Sequence, residues 1–229
     1  MISVVAVKTA YANIYSEPKF SSQMVTQALF FEELEVLSEH GNWYEVSQWD
    51  GYRGYVHKFY LSENYIIDQS DNIVISSRFE SLYNSLDFNQ TPSIVIPFGT
   101  TIPTKDYDGI IKSATIDKRD YYFKHSANNI IECKRDQIIL NAEKLLGSPY
   151  LWGGKTPFGY DCSGFVQSLL NSVGIKIKRD TSQQIVDSRM MKIDFKDIEK
   201  GDLVFFNIEG DNVDHVGIWY GNDDEIIHC

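Results

Sequence analysis

Residues 150–165 read YLWGGKTPFGYDCSGF, a stretch that sets one cysteine between a glycine-rich segment and an apolar run. The apolar residues after it recur at helical spacing and end at Gly174: Phe165, Val166, Leu169, Leu170 and Val173. Cys162 therefore lies just before a helix or in its first turn, where unpaired backbone N–H groups and the helix dipole favour a thiolate. The stretch predicts that Cys162 is a nucleophile and that these N–H groups hold an oxyanion.

A cysteine nucleophile needs a base, and the base needs a group that orients it. His215 begins the strand-like run HVGIWY, in which alternation puts Gly217 and Trp219 on the same face as the histidine. We expect His215 to point from a sheet towards the helix of Cys162. His228 lies on the next strand-like run, and antiparallel pairing across a turn at 221–224 would bring it close to His215. The catalytic candidates are therefore Cys162, His215 and His228.

The two halves of the chain differ in the secondary structure that their patterns predict. Residues 1–130 contain short β-type runs broken by turn signals such as His40-Gly41-Asn42 and Asp50-Gly51, a pattern typical of small barrels. From residue 133 onward, helical spacing over Arg135–Leu146 and a helix start near Arg179 are combined with the strand-like runs DLVFFNI, HVGIWY and EIIHC. The sequence predicts an α+β domain that follows one or two small β-barrels.

Five ordered motifs in the second half resemble those of the NlpC-type cell-wall cysteine peptidases, a papain-like family. They are Y-x-W-G-G, D-C-S-G-F, R-D-x-x-x-Q (Arg179, Asp180 and Gln184), G-D-L-V-F-F and H-V-G-I. In the first 65 residues, an N-x-Y-S-x-P start, a GxWYxV strand and a G-Y-x-G-Y-V ending resemble a bacterial SH3-like domain. We expect an SH3-like domain at 1–66, a divergent second one at 67–130 and the papain-like catalytic domain at 131–229.

An NlpC-type domain behind SH3-like modules is similar to the γ-D-glutamyl-L-diamino acid endopeptidases (dipeptidyl-peptidase VI), which act in cell-wall recycling. The resemblance implies hydrolysis of the γ-D-glutamyl–diamino acid bond in murein peptides of the form L-Ala-γ-D-Glu-diamino acid with a free N-terminal L-Ala. It implies that Asp180, with Glu17 and Tyr52 of the first module, holds the ammonium group. Thr181 follows Asp180 where the family usually has serine. The remaining residues implied to line the substrate cleft are Tyr150, Trp152, Asp161 and Ser163.

Two other functions stay open on the same residues. One is an endopeptidase or amidase that uses the same cysteine–histidine core on intact peptidoglycan. The other is a non-catalytic wall-binding module with a relict site. Cys162, His215 and His228 could also form a three-ligand metal set, but no second local pair such as HxxxH accompanies them. We therefore expect no metal and no other cofactor.

Composition narrows the partners and the compartment. The formal net charge of −11 would repel a polyanion, so we expect no nucleic-acid partner. No apolar run approaches bilayer length, which predicts no membrane insertion. Three cysteines without a CxxC pair suit a reducing compartment, and the N-terminus carries no signal-peptide pattern, so we expect a cytoplasmic protein, or a periplasmic one if a leader was removed.

The NlpC-type domain normally continues beyond its third polar residue, whereas this sequence stops at His228-Cys229. We expect a chain that is truncated at its C-terminus. An orienting histidine next to a fraying end would hold its partner poorly, so we expect a chain ending there to be less active or less stable.

Overall fold

The computed structural model describes residues 3–66, 71–125, 133–207, 213–221 and 225–229. By their internal contacts the residues group into two units, Met1–Ile130 and Ile131–Cys229. Residues 222–224 of the predicted turn lie outside the described residues. The segments that follow residue 66 and surround residue 130, where domain boundaries are predicted, lie outside them as well.

The first unit consists of antiparallel strands joined by short turns. The described strands are β1 Val4–Val7, β2 Tyr11–Tyr15, β3 Met24–Leu29, β4 Glu33–His40, β5 Trp43–Ser47, β6 Arg53–His57, β7 Leu61–Ser62, β8 Asp71–Val74, β9 Phe79–Leu82, β10 Ile94–Pro97, β11 Thr101–Asp106, β12 Ile111–Ile116 and β13 Arg119–Lys124. Within the described residues, one sheet has the order β3-β2-β6-β5-β4-β1-β7, another the order β13-β12-β11-β8, and β10 pairs with β9. Both predicted hairpins are confirmed, since β4 pairs with β5 and β5 pairs with β6.

Strands before and after residue 66 share one hydrophobic core. Ala6, Phe30 and Phe31 from the first sheet pack against buried side chains of residues 71–125. The partners from the later strands include Ile73, Ile75, Leu82, Ile96, Ile102, Ile116, Tyr121 and Phe123. Residues 3–66 keep a second core of their own, which contains Val5, Ile14 and Leu34. The first unit is thus held together by apolar surface that its two halves bury jointly.

Phe30 provides a direct test of this shared core. Its ring is fully buried and lies edge-on to the rings of Phe31 at 4.9 Å and Tyr121 at 5.6 Å between centroids. We expect Phe30→Ala to lower the free energy of unfolding by about 3–5 kcal/mol, because it removes buried surface and leaves a cavity. Phe59→Ala, at a ring that is 67% exposed, is the matched control and should change it by less than about 1 kcal/mol. Urea denaturation followed by tryptophan fluorescence measures both, and equal small effects would contradict a shared core.

The second unit combines helices with short strands. Its described elements are α1 Lys134–Leu145, β14 Lys155–Thr156, β15 Gly159–Tyr160, α2 Cys162–Ser172, α3 Thr181–Gln184, β16 Leu203–Phe206, β17 His215–Trp219 and β18 Ile226–Ile227. Within the described residues the sheet order is β16-β17-β18, all antiparallel. Helix α2 is buried along most of its length and packs against α1, β14 and β17. The predicted helix after Cys162 and the three predicted strand runs are confirmed.

The lengths of the described helices bear on whether any of them could cross a membrane. Their longest helix is α1, which has 12 residues. No helix in the described ranges is both long enough and apolar enough to cross a membrane.

Candidate active site

Cys162 is the first residue of α2, and Asp161 caps the helix. One carboxylate oxygen of Asp161, Oδ1, accepts a hydrogen bond from the Gly164 N–H at 2.7 Å. Its other oxygen, Oδ2, accepts one from the Gly153 N–H at 2.8 Å. The N–H groups of Cys162 and Ser163 belong to the first turn of the helix, where they have no intrahelical partner. The capped turn therefore presents a thiol and two backbone donors at the positive end of a buried helix.

A buried arginine completes the surroundings of Asp161. The side chain of Arg179 is 1% exposed, and its guanidinium contacts Asp161 with two nitrogens, Nη1–Oδ1 at 2.9 Å and Nη2–Oδ2 at 2.7 Å. The same group donates to Ser163 Oγ at 2.9 Å and to the Gly154 carbonyl at 3.4 Å. Gln184 Nε2 adds a bond to the Ser163 carbonyl at 3.1 Å. Each Asp161 oxygen thus has a backbone donor and a guanidinium donor, which is what a buried charge requires.

Asp161 and Ser163 are two of the residues implied to line the substrate cleft, and the structure places both beside Arg179. Both are buried, with 8% and 6% of their surface exposed, and their side chains bond to Arg179. An aspartate that precedes a helix stabilises it by accepting hydrogen bonds from the N–H groups of the first turn. Its charge can stay buried when a cation donates charge-assisted hydrogen bonds to it. Arg179 of the R-D-x-x-x-Q motif is the partner that holds Asp161 in this position.

Tyr150 and Trp152, two further residues implied to line the cleft, are exposed, with 55% and 61% of their surface accessible. Burial raises the pKa of Tyr150, and the charges of Cys162 and Asp161 raise it further, while that of Arg179 lowers it. The Leu151 N–H donates to the Tyr160 carbonyl at 2.9 Å, which holds this segment next to the residues that precede Cys162. The segment at 150–152 thus forms an accessible wall beside Cys162.

Gly164 allows the helix and the glycine-rich segment to approach each other. A Cβ added at this position would overlap the Gly154 carbonyl oxygen and crowd Asp161 Oδ1. The overlapping atom belongs to the backbone, so a side chain here requires the segment to move away from α2. The glycine of D-C-S-G is therefore required by the packing around the cysteine turn.

We expect Gly164→Ala to destabilise the protein by about 1–3 kcal/mol, although alanine normally favours a helix interior over glycine by about 1 kcal/mol. Activity should fall by about 100-fold, because the cysteine turn and the glycine-rich segment no longer meet. The matched control is Asn171→Ala, a partly exposed position in the last turn of α2. Thermal unfolding and peptide hydrolysis measure the two effects, and a Gly164→Ala protein as stable as the control would contradict the close approach.

His215 and His228 come together through strand pairing. β17 and β18 are antiparallel, with Ile218 opposite Ile227 and Trp219 opposite Ile226. His215 Nε2 lies 3.0 Å from His228 Nδ1, and the two rings are nearly perpendicular. This contact confirms the proximity that the strand pattern predicts. His228 is exposed, whereas His215 is 6% exposed and packs against the ring of Phe206 at 4.8 Å between centroids.

The sulfur of Cys162 lies next to the strand that carries His215. Cys162 Sγ is 4.0 Å from the carbonyl oxygen of Asp214, the residue before His215. It is also 3.8 Å from the hydroxyl of Thr181, the first residue of α3, which is 8% exposed. Asp180 is partly exposed and caps α3. Thr181, predicted as a substrate-binding residue, thus contacts the candidate nucleophile itself.

The surroundings of His215 favour its neutral form. Burial lowers the pKa of His215 from its ordinary value of 6.5, and the charge of His228 lowers it further, while Asp214 acts in the opposite direction. A neutral imidazole can accept a proton from a thiol, whereas a protonated one cannot. Since Nε2 faces His228, the other ring nitrogen, Nδ1, is the one available for that proton.

We expect the acid limb of kcat/KM to lie below the ordinary histidine pKa, because a lowered pKa keeps His215 neutral to lower pH. His228→Gln removes the neighbouring imidazole, whose charge lowers the pKa of His215, while the glutamine carbonyl can accept from the His215 N–H, so the pKa of His215 should rise and the limb should move to higher pH. The control is His40→Gln, an exposed histidine of the first unit. A pH profile of peptide hydrolysis decides the question. A limb that His228→Gln leaves in place would show that His228 does not act on the base.

Sequence reasoning missed two further neighbours of the site. The thiol of Cys229 is partly buried, and its burial together with the charges of Asp161 and Cys162 raises its pKa to about 11. Phe206 packs its ring on His215 from the neighbouring strand. Phe206 belongs to the G-D-L-V-F-F motif, but the motif does not show which of its side chains contacts the base, and Cys229 lies in no motif.

Glu17 and Tyr52 lie in the first unit. Glu17 is exposed and forms an ion pair with Lys19 at 2.7 Å. Tyr52 is half-buried in the turn between β5 and β6, where its N–H donates to Asp50. Among the described residues, no group of three or more His, Cys, Asp or Glu side chains is arranged to hold a metal.

Comparison with known proteins matches both parts of the sequence. A model of the NlpC/P60 family matches residues 147–229, and a model of the bacterial SH3 domain matches residues 10–62. Both resemblances inferred from the motifs are thereby confirmed.

Two curated relatives match most of this chain. A gamma-D-glutamyl-L-lysine dipeptidyl-peptidase of Bacillus subtilis (strain 168) is 32% identical over 209 residues, which cover 86% of this chain and 69% of the relative. A Bacillus cereus protein of the same name is 29% identical over 229 residues, 91% of this chain and 68% of the relative. The crystal structure of an NlpC/P60 family protein from Bacillus cereus has the same fold, with a TM-score of 0.80 and 23% identity over 96% of this chain and 88% of that chain.

Proposed function

Because the chain belongs to the NlpC/P60 family of cysteine peptidases and is a peptidoglycan hydrolase, we propose that it cleaves short murein peptides at the γ-D-glutamyl–diamino acid bond. The observation that carries the proposal is that Cys162 lies next to the strand of His215, and that Nε2 of His215 faces His228. The two relatives reported above are named for γ-D-glutamyl-L-lysine, so L-Ala-γ-D-Glu-L-Lys is the peptide to test first.

In the proposed reaction, Nδ1 of His215 takes the proton of the Cys162 thiol, and the sulfur attacks the γ-carbonyl carbon of D-glutamate. The N–H groups of Cys162 and Ser163 stabilise the resulting oxyanion. His215 then donates its proton to the leaving amine of the diamino acid, which leaves a thioester on Cys162. Water, activated by His215, hydrolyses the thioester and restores the thiol. His228 holds the ring of His215 in the required tautomer.

The ammonium group of the N-terminal L-Ala is assigned to Asp180, at the start of α3 and next to Thr181. Asp180 is partly exposed, and Thr181 touches the sulfur, so a substrate held at Asp180 would lie within one residue of the reacting atoms. A carboxylate near a free ammonium group stabilises binding in a manner that weakens with salt.

The finer domain plan belongs to the same proposal. We assign residues 1–66 to a first SH3-like domain, 67–130 to a divergent second one and 131–229 to a papain-like catalytic domain. The antiparallel sheet β13-β12-β11-β8 and the paired strands β9 and β10 support the second assignment. The three-stranded sheet behind the cysteine helix supports the third.

Hydrolysis of L-Ala-γ-D-Glu-L-Lys and of its N-acetylated copy tests the reaction and the amine site together. We expect wild type to release L-Ala-D-Glu from the free-amine peptide, and Cys162→Ala to release none, as measured by mass spectrometry. Equal cleavage of the acetylated copy would remove the amine site and favour an endopeptidase that acts on intact wall. Cleavage by Cys162→Ala would remove the proposed nucleophile.

Asp180→Asn isolates the charge at the proposed amine site. Asparagine caps a helix as well as aspartate does, so α3 should persist while the charge is lost. We expect kcat/KM for the free-amine peptide to fall by about 10-fold, and mainly through KM, since the ammonium group contacts Asp180 in substrate and transition state alike. Asp194→Asn, at an exposed aspartate of the same unit, is the control and should leave kcat/KM unchanged. A wild-type KM in Asp180→Asn would exclude this residue from the amine site.

A further inference from the structure

The guanidinium of Arg179 connects three segments, and the proposed reaction depends on their relative positions. Through Asp161 and Ser163 it bonds to both residues that flank Cys162 in the chain. Through the Gly154 carbonyl it reaches the glycine-rich segment beside the helix start. Its own backbone leads directly to Asp180 and Thr181, the second of which touches the sulfur. One fully buried side chain therefore fixes the cysteine turn, the cleft wall and the start of α3 relative to one another.

The charge of Arg179 also acts at the site. The Asp161 carboxylate immediately precedes Cys162, and its charge raises the pKa values of Tyr150 and Cys229 nearby. The charge of Arg179 acts on Tyr150 in the opposite direction and lowers its pKa. A carboxylate without a counter-charge next to Cys162 would disfavour a second negative charge on the sulfur. The guanidinium offsets that repulsion at the point where the thiolate has to form.

We propose that Arg179 is a positioning residue for the nucleophile, which holds the Cys162 turn against the glycine-rich segment and balances the charge of Asp161 beside the sulfur. This inference rests on the proposed role of Cys162. The bonding role and the charge role of Arg179 require different properties of the residue that replaces it. Lysine supplies a positive charge but cannot form the paired bonds to both carboxylate oxygens. The double variant Asp161→Asn/Arg179→Met carries neither the negative nor the positive charge, so no charge is left without a counter-charge.

Three variants separate charge from geometry: Arg179→Met, Arg179→Lys and the double variant Asp161→Asn/Arg179→Met. The matched control is Arg135→Met, which breaks another arginine–aspartate pair of the same unit, Arg135 Nη1 to Asp202 Oδ1 at 2.7 Å. Each protein is checked for folding by circular dichroism. The rate of alkylation of Cys162 by iodoacetamide is followed on its own tryptic peptide by mass spectrometry, with Cys162→Ala as blank. Peptide hydrolysis gives kcat and KM.

We expect Arg179→Met to slow alkylation at pH 7 by about 10-fold, because an Asp161 carboxylate without a counter-charge disfavours the negative sulfur that reacts. Arg179→Lys and the double variant should stay within about 3-fold of the wild-type alkylation rate, because neither leaves Asp161 unbalanced. All three variants should lower kcat by about 100-fold with little change in KM, since the misplaced sulfur affects the chemical step. Arg135→Met should change neither rate.

Two results would overturn the proposal. In the first, the folded variants keep the wild-type kcat and alkylation rate, so that Arg179 only stabilises the fold. In the second, none of the three variants folds while Arg135→Met does, so that the guanidinium serves folding alone. Alkylation does not depend on the substrate. If wild type cleaves no murein peptide, the proposed function fails, while the alkylation rates still decide the role of Arg179.

Discussion

The ion pair between Asp161 and Arg179 is the constraint on which the site depends. Taking two charges out of water is costly, and their attraction compensates only when the remaining donors and acceptors are satisfied. Here the backbone N–H groups of Gly153 and Gly164 donate hydrogen bonds to the Asp161 carboxylate. The Ser163 hydroxyl and the Gly154 carbonyl accept hydrogen bonds from the Arg179 guanidinium. These contacts can form together only if the cysteine turn, the glycine-rich segment and the chain before α3 meet at one point. The pair therefore selects a single geometry around Cys162.

The two histidines are positioned by a different feature, the antiparallel pairing of β17 with β18. Antiparallel register brings residues of the two strands opposite each other, so His228 reaches His215 without any contribution from the helices. Helix α2 then packs on β17, which brings the helix start beside Asp214 and hence beside the base. The nucleophile is fixed by a buried charge pair and the base by backbone pairing.

The parts of the site that follow from local patterns could be predicted from the sequence. The helix start at Cys162, the strand at His215 and the approach of His228 each depend on residues close together in the chain. The interior position of Asp161 could not be predicted, because its partner Arg179 lies 18 residues further on and periodicity carries no information about such pairs. The shared core of the first unit was missed for a similar reason. Alternation tells which face of a strand is buried, but not that Phe30 meets Tyr121 from the later sheet.

The two aspartates that flank the site illustrate how burial separates roles that look alike in sequence. Asp161 and Asp180 each precede a helix, and each is a plausible ligand for an ammonium group. Asp161 is buried and already neutralised by Arg179, so a cation arriving from solvent would meet little net attraction there. Asp180 is partly exposed and stands beside Thr181, whose hydroxyl touches the sulfur. Burial and the bonds to Arg179 thus distinguish Asp161 from Asp180, which keeps part of its surface accessible to solvent.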